Sequence, residues 1–132
     1  MDNIFNYFDQ MGGLEFSEIL NKNMKKIFDS LGGGFKESVY QHALAIELRK
    51  LGFIIQKEVN KEVLYLGEEV GIVRIDMLVD KMYIIEFKAI SKITEKEINQ
   101  VKRYLNLFRN DGIISGFIIN VKLDRYEVIT VQ

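Results

Sequence analysis

Two acids and a lysine stand inside the most strand-like stretch of this chain, RIDMLVDKMYIIEFKAI, from Arg74 to Ile90. A carboxylate or an ammonium within an apolar strand is costly unless it meets a partner or an ion. In YIIEFKAI the side chains alternate, so Glu86 and Lys88 share one face with Ile84. Tyr83, Ile85 and Phe87 take the other face, which suits a core. On the preceding strand Asp76 shares a face with Arg74 and Leu78. A two-residue turn at Asp80-Lys81 would point Asp76 away from Glu86. A three-residue loop over Asp80 to Met82 would set Val79 opposite Tyr83 and Asp76 opposite Glu86. The sequence leaves both open. The longer loop is favoured because it also puts Ile75, Met77 and Val79 on the face of Ile85 and Phe87. A third acid, Glu37, precedes Tyr40, Leu44 and Leu48 at helical spacing and lies along the inward stripe of its helix. Simpler explanations compete. Glu86 and Lys88 would suit an exposed pair on an edge strand, and Glu37 an acid favoured by a helix N-terminus. His42 lies about 140° round the helix from Glu37, on the surface or rim.

The elements that must position these residues are legible in outline. A helix is expected from about Phe16 to Leu31, with Ile19, Leu20, Met24, Ile27, Phe28 and Leu31 on its apolar face. Gly32-Gly33-Gly34 stops it. A second helix is expected from about Lys36 to Leu51, ending at Gly52. After Gly52 the period becomes that of strands. FIIQKEV and EVLYL are candidate strands, GEE a turn, and VGIVRIDMLV the next strand. A third helix follows YIIEFKAI, with Thr94 and Glu97 spaced as a capping box and Ile98, Val101, Leu105 and Phe108 as its core stripe. GIISGFIINV and RYEVITV read as two more strands. The order predicts an α/β sandwich, a mixed central sheet flanked by helices, over residues 14–132. Residues 1–13 form an aromatic arm bearing Phe5, Tyr7 and Phe8, able to dock on the domain or to make a homo-oligomer.

Composition narrows the function. The 132 residues suffice for one domain with one core. The net charge of −1 carries no global basic field. Without cysteine there is no disulfide framework or thiolate metal site, and one histidine cannot make a His-rich zinc site. No apolar run approaches the roughly 20 residues of a membrane span. The start, MDNIFNYFDQ, lacks the basic opening of a signal peptide, so an intracellular, cytoplasmic protein without membrane contact is expected.

The fragment Gly34-Phe-Lys-Glu37-Ser-Val-Tyr40 matches the GxxExxY motif that names a family of small proteins. Arg74-Ile-Asp76, Glu86-Phe-Lys88, Gln100-Val-Lys-Arg-Tyr104-Leu105 and the FIIN ending at Asn120 follow in the order of that family. Between about Leu31 and Val121 the chain thus resembles the GxxExxY proteins, which are similar to the PD-(D/E)xK nuclease superfamily with its restriction-endonuclease-like fold. It departs in having Ile75 where the superfamily name implies a proline.

The resemblance implies a catalytic set of Glu37, Asp76, Glu86, Lys88 and Gln100, and a metal site of Asp76, Glu86, Glu37 and the Phe87 backbone carbonyl. Clustered carboxylates about 5 Å apart repel by roughly 3 kcal/mol per pair at an effective dielectric near 20, so they call for a cation. Oxygen ligands suit Mg²⁺ or Mn²⁺. Lys88 would orient the attacking water or stabilise developing charge, and Gln100 would position Lys88 or a phosphate. Lys36, Lys92, Lys96, Lys102, Arg103 and Arg109 are available to a nucleic-acid backbone, although interleaved acids also suit an ordinary solvated face. Arg74 is available to the acids as an ion-pair partner. The expected activity is metal-dependent hydrolysis of DNA or RNA. The alternatives are a non-catalytic nucleic-acid-binding module and a structural or assembly protein that keeps the fold.

Overall fold

The alternating apolar pattern after Gly52 forms one five-stranded sheet. Its strands are β1 (Ile55–Tyr65), β2 (Glu68–Val79), β3 (Tyr83–Lys88), β4 (Ser115–Val121) and β5 (Tyr126–Val131), and they lie side by side in chain order. The computed structural model describes residues 13–132; the aromatic arm with Phe5, Tyr7 and Phe8 lies outside them. Neighbouring strands run antiparallel except β3 and β4, which are parallel. A parallel pair needs a long crossover, supplied here by α3 (Glu95–Leu107). Its capping box is complete. The Thr94 hydroxyl accepts from the Lys96 amide, and Glu97 accepts from the Thr94 amide at 2.7 Å. The other two helices are α1 (Gly13–Leu31) and α2 (Glu37–Lys50).

The helices form two layers with the sheet between them. On one side Phe16, Leu20 and Met24 of α1 and Tyr40, Leu44 and Leu48 of α2 pack with Met77, Val79, Tyr83, Ile85, Phe87, Phe117 and Ile119. On the other side Tyr104 and Phe108 pack with Ile75, Leu78 and Ile84, and Val101 packs with Ile118. Every residue of β4 is buried, as are five of the six in β3, because both faces of these strands are covered. Among the described residues no helix is long and apolar enough to cross a membrane.

Two local expectations change and a third, the longer β2–β3 loop, is met. The two strands expected over FIIQKEV and EVLYL merge into one continuous strand, β1, which leaves out Phe53, Ile54 and Leu66. The turn falls at Leu66-Gly67, where both residues have positive φ, so Glu68 and Glu69 belong to β2 instead of a turn. The β2–β3 connection is the three-residue loop, with Val79 paired to Tyr83. Asp80 and Lys81 both adopt positive φ there, and Asp80 Oδ1 accepts from the Ile54 amide at 2.7 Å.

The expected shared face of Ile75, Met77 and Val79 is not observed. Met77 and Val79 face α1 and α2, whereas Ile75 faces α3. Strand β1 changes face at the same level. Lys57 reaches His42 of α2 at 2.7 Å, and Val59 packs in the α3 layer. Between them Glu58 has φ 55°, and the pairs Lys57–Met77 and Val59–Ile75 place it opposite Asp76. Both strands change face at this level, where Glu58 has a left-handed backbone and the pairing stays one to one. His42 is exposed, as its helical position predicts.

Candidate active site

The site lies where β2 and β3 part. Their regular pairing ends at Met77–Ile85. One step on, side chains take over from the ladder. The Asp76 amide donates to Glu86 Oε2 at 2.8 Å, and the Phe87 amide donates to Asp76 Oδ2 at 2.9 Å. Each acid is thus held by the other strand's backbone. An apolar strand can carry these carboxylates because they satisfy amides that the diverging ladder has abandoned.

Electrostatics follow from this placement. Glu86 is only 3 % exposed, and burial pushes its carboxyl up to about 8, with the charge of Asp76 adding to the rise. Burial also raises Asp76, against the pull of the Phe87 amide, while Glu58 raises it further and Lys88 and Arg74 lower it. Glu37, the first residue of α2, is exposed as a residue, yet its carboxyl is raised by partial burial and by Asp76. Lys88 and a hydrogen bond from the Ala89 amide oppose that rise. The half-buried ammonium of Lys88 therefore acts on all three acids.

The structure brings Glu37, Asp76, Glu86 and Lys88 into one electrostatic neighbourhood. Gln100 joins it indirectly. Its Nε2 donates to the Tyr104 hydroxyl at 3.0 Å, and Tyr104 is raised by burial and then by the charge of Glu86. Arg74 lies 3.4 Å from Glu58, with both side chains largely exposed. Lys36, Lys92, Lys96, Lys102, Arg103 and Arg109 are all exposed.

Three supporting residues were not apparent from the pattern. Gln41 is buried, and its Nε2 donates to the Asp76 carbonyl at 2.6 Å, tying α2 to the site strand. Its position four after Glu37, on the same helical stripe, was the available signal. Asn120 is fully buried beside Lys88 in the β3–β4 register and bonds both the amide and the carbonyl of Ile90. It fixes the path of the chain as it leaves β3, and the FIIN fragment contained it. Glu58 adds a fourth acid, and nothing in its surroundings in sequence announces a positive φ.

The donors suit a hard cation in chemistry, but they do not form a complete cage. Among the described residues no three Asp, Glu, His or Cys side chains are gathered closely enough to hold an ion by themselves. Mg²⁺ commonly uses one or two carboxylates and completes its shell with water and substrate phosphates. The Asp76–Glu86 pair fits that mode.

A family model described as the PD-(D/E)XK nuclease superfamily matches residues 15–130. No curated protein matches the chain significantly. Among solved structures, the crystal structure of SSO0001 is similar, with a TM-score of 0.55 and 19% identity over 73% of this chain. The match covers 50% of that protein, so this chain spans about half its length, and the likeness is one of fold.

Proposed function

The chain belongs to the PD-(D/E)XK nuclease superfamily, and on that footing we propose that it is a nuclease hydrolysing phosphodiester bonds of DNA or RNA with Mg²⁺ or Mn²⁺, in the manner of the GxxExxY proteins. The observation that carries the reading is the reciprocal clasp of Asp76 and Glu86 beside Lys88, with a carboxyl pushed up to about 8. A perturbed acid held next to an ammonium at a strand end is a functional arrangement more than a stabilising one.

Asp76 and Glu86 would hold the ion, with Glu37 and the Phe87 carbonyl as further oxygen donors. The bound ion would supply charge stabilisation at the phosphoryl oxygens and acidify water. Burial raises the Glu86 carboxyl to about 8, so an ion held there would displace the proton that burial favours. Asp76 is kept in orientation by the Phe87 amide, and its own carbonyl by Gln41. Lys88 orients the attacking water or meets the negative charge that develops on the phosphoryl group. On the α3 side Gln100 donates to the Tyr104 hydroxyl, and Tyr104 lies within the field of Glu86.

The test is cleavage of single-stranded, duplex and branched DNA and RNA with Mg²⁺ or Mn²⁺, repeated with Lys88→Ala. Loss of one transition-state donor lowers the rate about 100-fold, or about 2.7 kcal/mol. Binding of Mn²⁺ and of nucleic acid should change far less. A wild-type protein that cleaves none of these substrates, or a variant that cleaves equally well, would refute the assignment. The second reading is a binding module that keeps the fold without turnover. Nucleic-acid binding without turnover would select it.

A further inference from the structure

Next to the acids runs an open groove of about 330 Å³ that the chemistry above does not use. It is lined by Gly34 and Phe35 on one side, Val121, Lys122 and Leu123 on the other, and Ala89, Ile90 and Ser91 along its floor. The floor continues directly from Lys88, and the Ala89 amide donates to Glu37. Groove and acids are therefore one continuous surface.

Its lining is mixed, polar and apolar in about equal share, and two apolar side chains stand out on it, held in place. Phe35 is 49 % exposed, and its ring stands edge-on to Tyr40. The Tyr40 hydroxyl donates to the Gly32 carbonyl at 2.7 Å and accepts from the Phe35 amide at 3.2 Å. That pair of bonds fixes the loop that presents the ring. Leu123 on the facing wall is 79 % exposed. The two walls meet at Gly33, where a Cβ would lie 2.1 Å from the Lys122 carbonyl oxygen. Only glycine permits that approach. Asn120 pins the floor through both backbone groups of Ile90. An exposed ring and an exposed leucine on such a braced frame are ready to take a flat apolar ligand without reorganisation.

Charge indicates what that ligand carries. Lys36 follows Phe35, Lys92 follows Ser91, and both are exposed. Lys122 lies in the wall itself, but its ammonium is paired with Glu127 at 3.7 Å, so Lys36 and Lys92 are left to meet a phosphate. A groove that exposes an aromatic ring and a leucine among polar groups, with ammonium groups nearby, suits a planar base attached to a phosphodiester chain. A base inside a duplex cannot enter such a slot until it leaves the stack.

We propose that this groove is the subsite for an unpaired nucleobase adjoining the scissile phosphate, so that the substrate class is single-stranded or splayed nucleic acid. The proposal rests on the nuclease reading of the neighbouring acids. The base is gripped by its faces, between Phe35 and Leu123, so the site favours unpaired over paired strands with little preference for sequence.

The test is fluorescence anisotropy in EDTA at fixed salt, with a short single strand and a duplex of the same sequence. A second set of strands carries 2-aminopurine, whose emission reports stacking directly. The wild type should bind the single strand at least about 10-fold tighter than the duplex and quench 2-aminopurine. Phe35→Ala should lose about 10-fold on the single strand, as stacking on one aromatic side chain predicts, and little on the duplex. Leu123→Asp, at a position too exposed to disturb folding, should do the same. Equal affinity for both strands, or variants that bind the single strand like the wild type, would overturn the proposal. Cleavage measured alongside keeps the two readings apart. Asp76-dependent cleavage of duplex and single strand alike, unaffected by Phe35→Ala, refutes the subsite and leaves the nuclease reading standing. Phe35-dependent stacking without any cleavage supports the subsite and refutes the nuclease reading.

Discussion

Glu86→Gln is expected to remove a pH-dependent burden that the acid pocket places on the unliganded protein. In the folded chain the Glu86 carboxyl is raised from the usual 4.5 to about 8, first by burial and then by Asp76. Unfolding restores the ordinary value. Between those two values the folded state holds a proton that the unfolded state has released. The contribution of this group to stability is therefore fully present below the unfolded value, and it is lost as pH rises through the folded one. At about 1.36 kcal/mol per pKa unit, the loss between about pH 5.5 and about pH 7.5 is on the order of 2.5 kcal/mol. Asp76 and Glu37 are raised as well, in the same direction of pH dependence. Glutamine keeps the oxygen that accepts from the Asp76 amide and removes the titration. The assay is urea unfolding in EDTA at the two pH values. The wild type should lose roughly 2.5 kcal/mol between them, and the variant less than about half of that. A variant with the full wild-type slope would show that the titration originates elsewhere and would refute the account of the pocket.

Mn²⁺ should raise the melting temperature of the wild type, because the ion binds the folded acids and not the unfolded chain. At 100 times its dissociation constant the ion contributes about 2.7 kcal/mol, and Asp76→Ala should abolish the increase; an undiminished rise in that variant would place the ion elsewhere. Gly33→Ala should destabilise the protein by about 2 kcal/mol or more, read by thermal melting, because the added carbon meets two backbone carbonyl oxygens, of Lys122 at 2.1 Å and Leu123 at 2.4 Å. Tyr40→Phe should cost about 1 to 2 kcal/mol in urea unfolding, since the Gly32 carbonyl and the Phe35 amide lose the hydroxyl that joins them. An unchanged midpoint would mean that water replaces that hydroxyl without loss.

What the sequence by itself determined about this protein is carried by short-range signals. Thr94 and Glu97 specify the start of α3 through their own spacing, and the structure contains both bonds. The alternation in YIIEFKAI sorted Tyr83, Ile85 and Phe87 onto the α1–α2 side, while the burial of the opposite face came from α3. The wish to bury two apolar faces together selected the three-residue loop, and with it the Val79–Tyr83 register. From that register the approach of Asp76 to Glu86 followed, because a strand advances its side chains on a fixed two-residue period. The layered α/β architecture was likewise legible, since the helical and strand periods alternate plainly along the chain.

Tertiary structure alone decided the rest, and each case has a physical cause. Alternation failed at Ile75, at the level where Glu58, distant in sequence, lies opposite Asp76 with a positive φ. A non-glycine residue carries no local mark of that conformation. Gln41 could be placed on the stripe of Glu37, but its bond to the Asp76 carbonyl exists only once α2 is laid across β2. The raised carboxyl of Glu86 is a property of depth and of neighbouring charge, which arise from the packing of β3 between two layers of helices. The contact of Gly33 with Lys122 and Leu123 joins residues roughly 90 positions apart. Local spacing selects the elements because it acts within one turn or one pleat. The site and its groove depend on which elements meet, and that is decided by burying the whole core together.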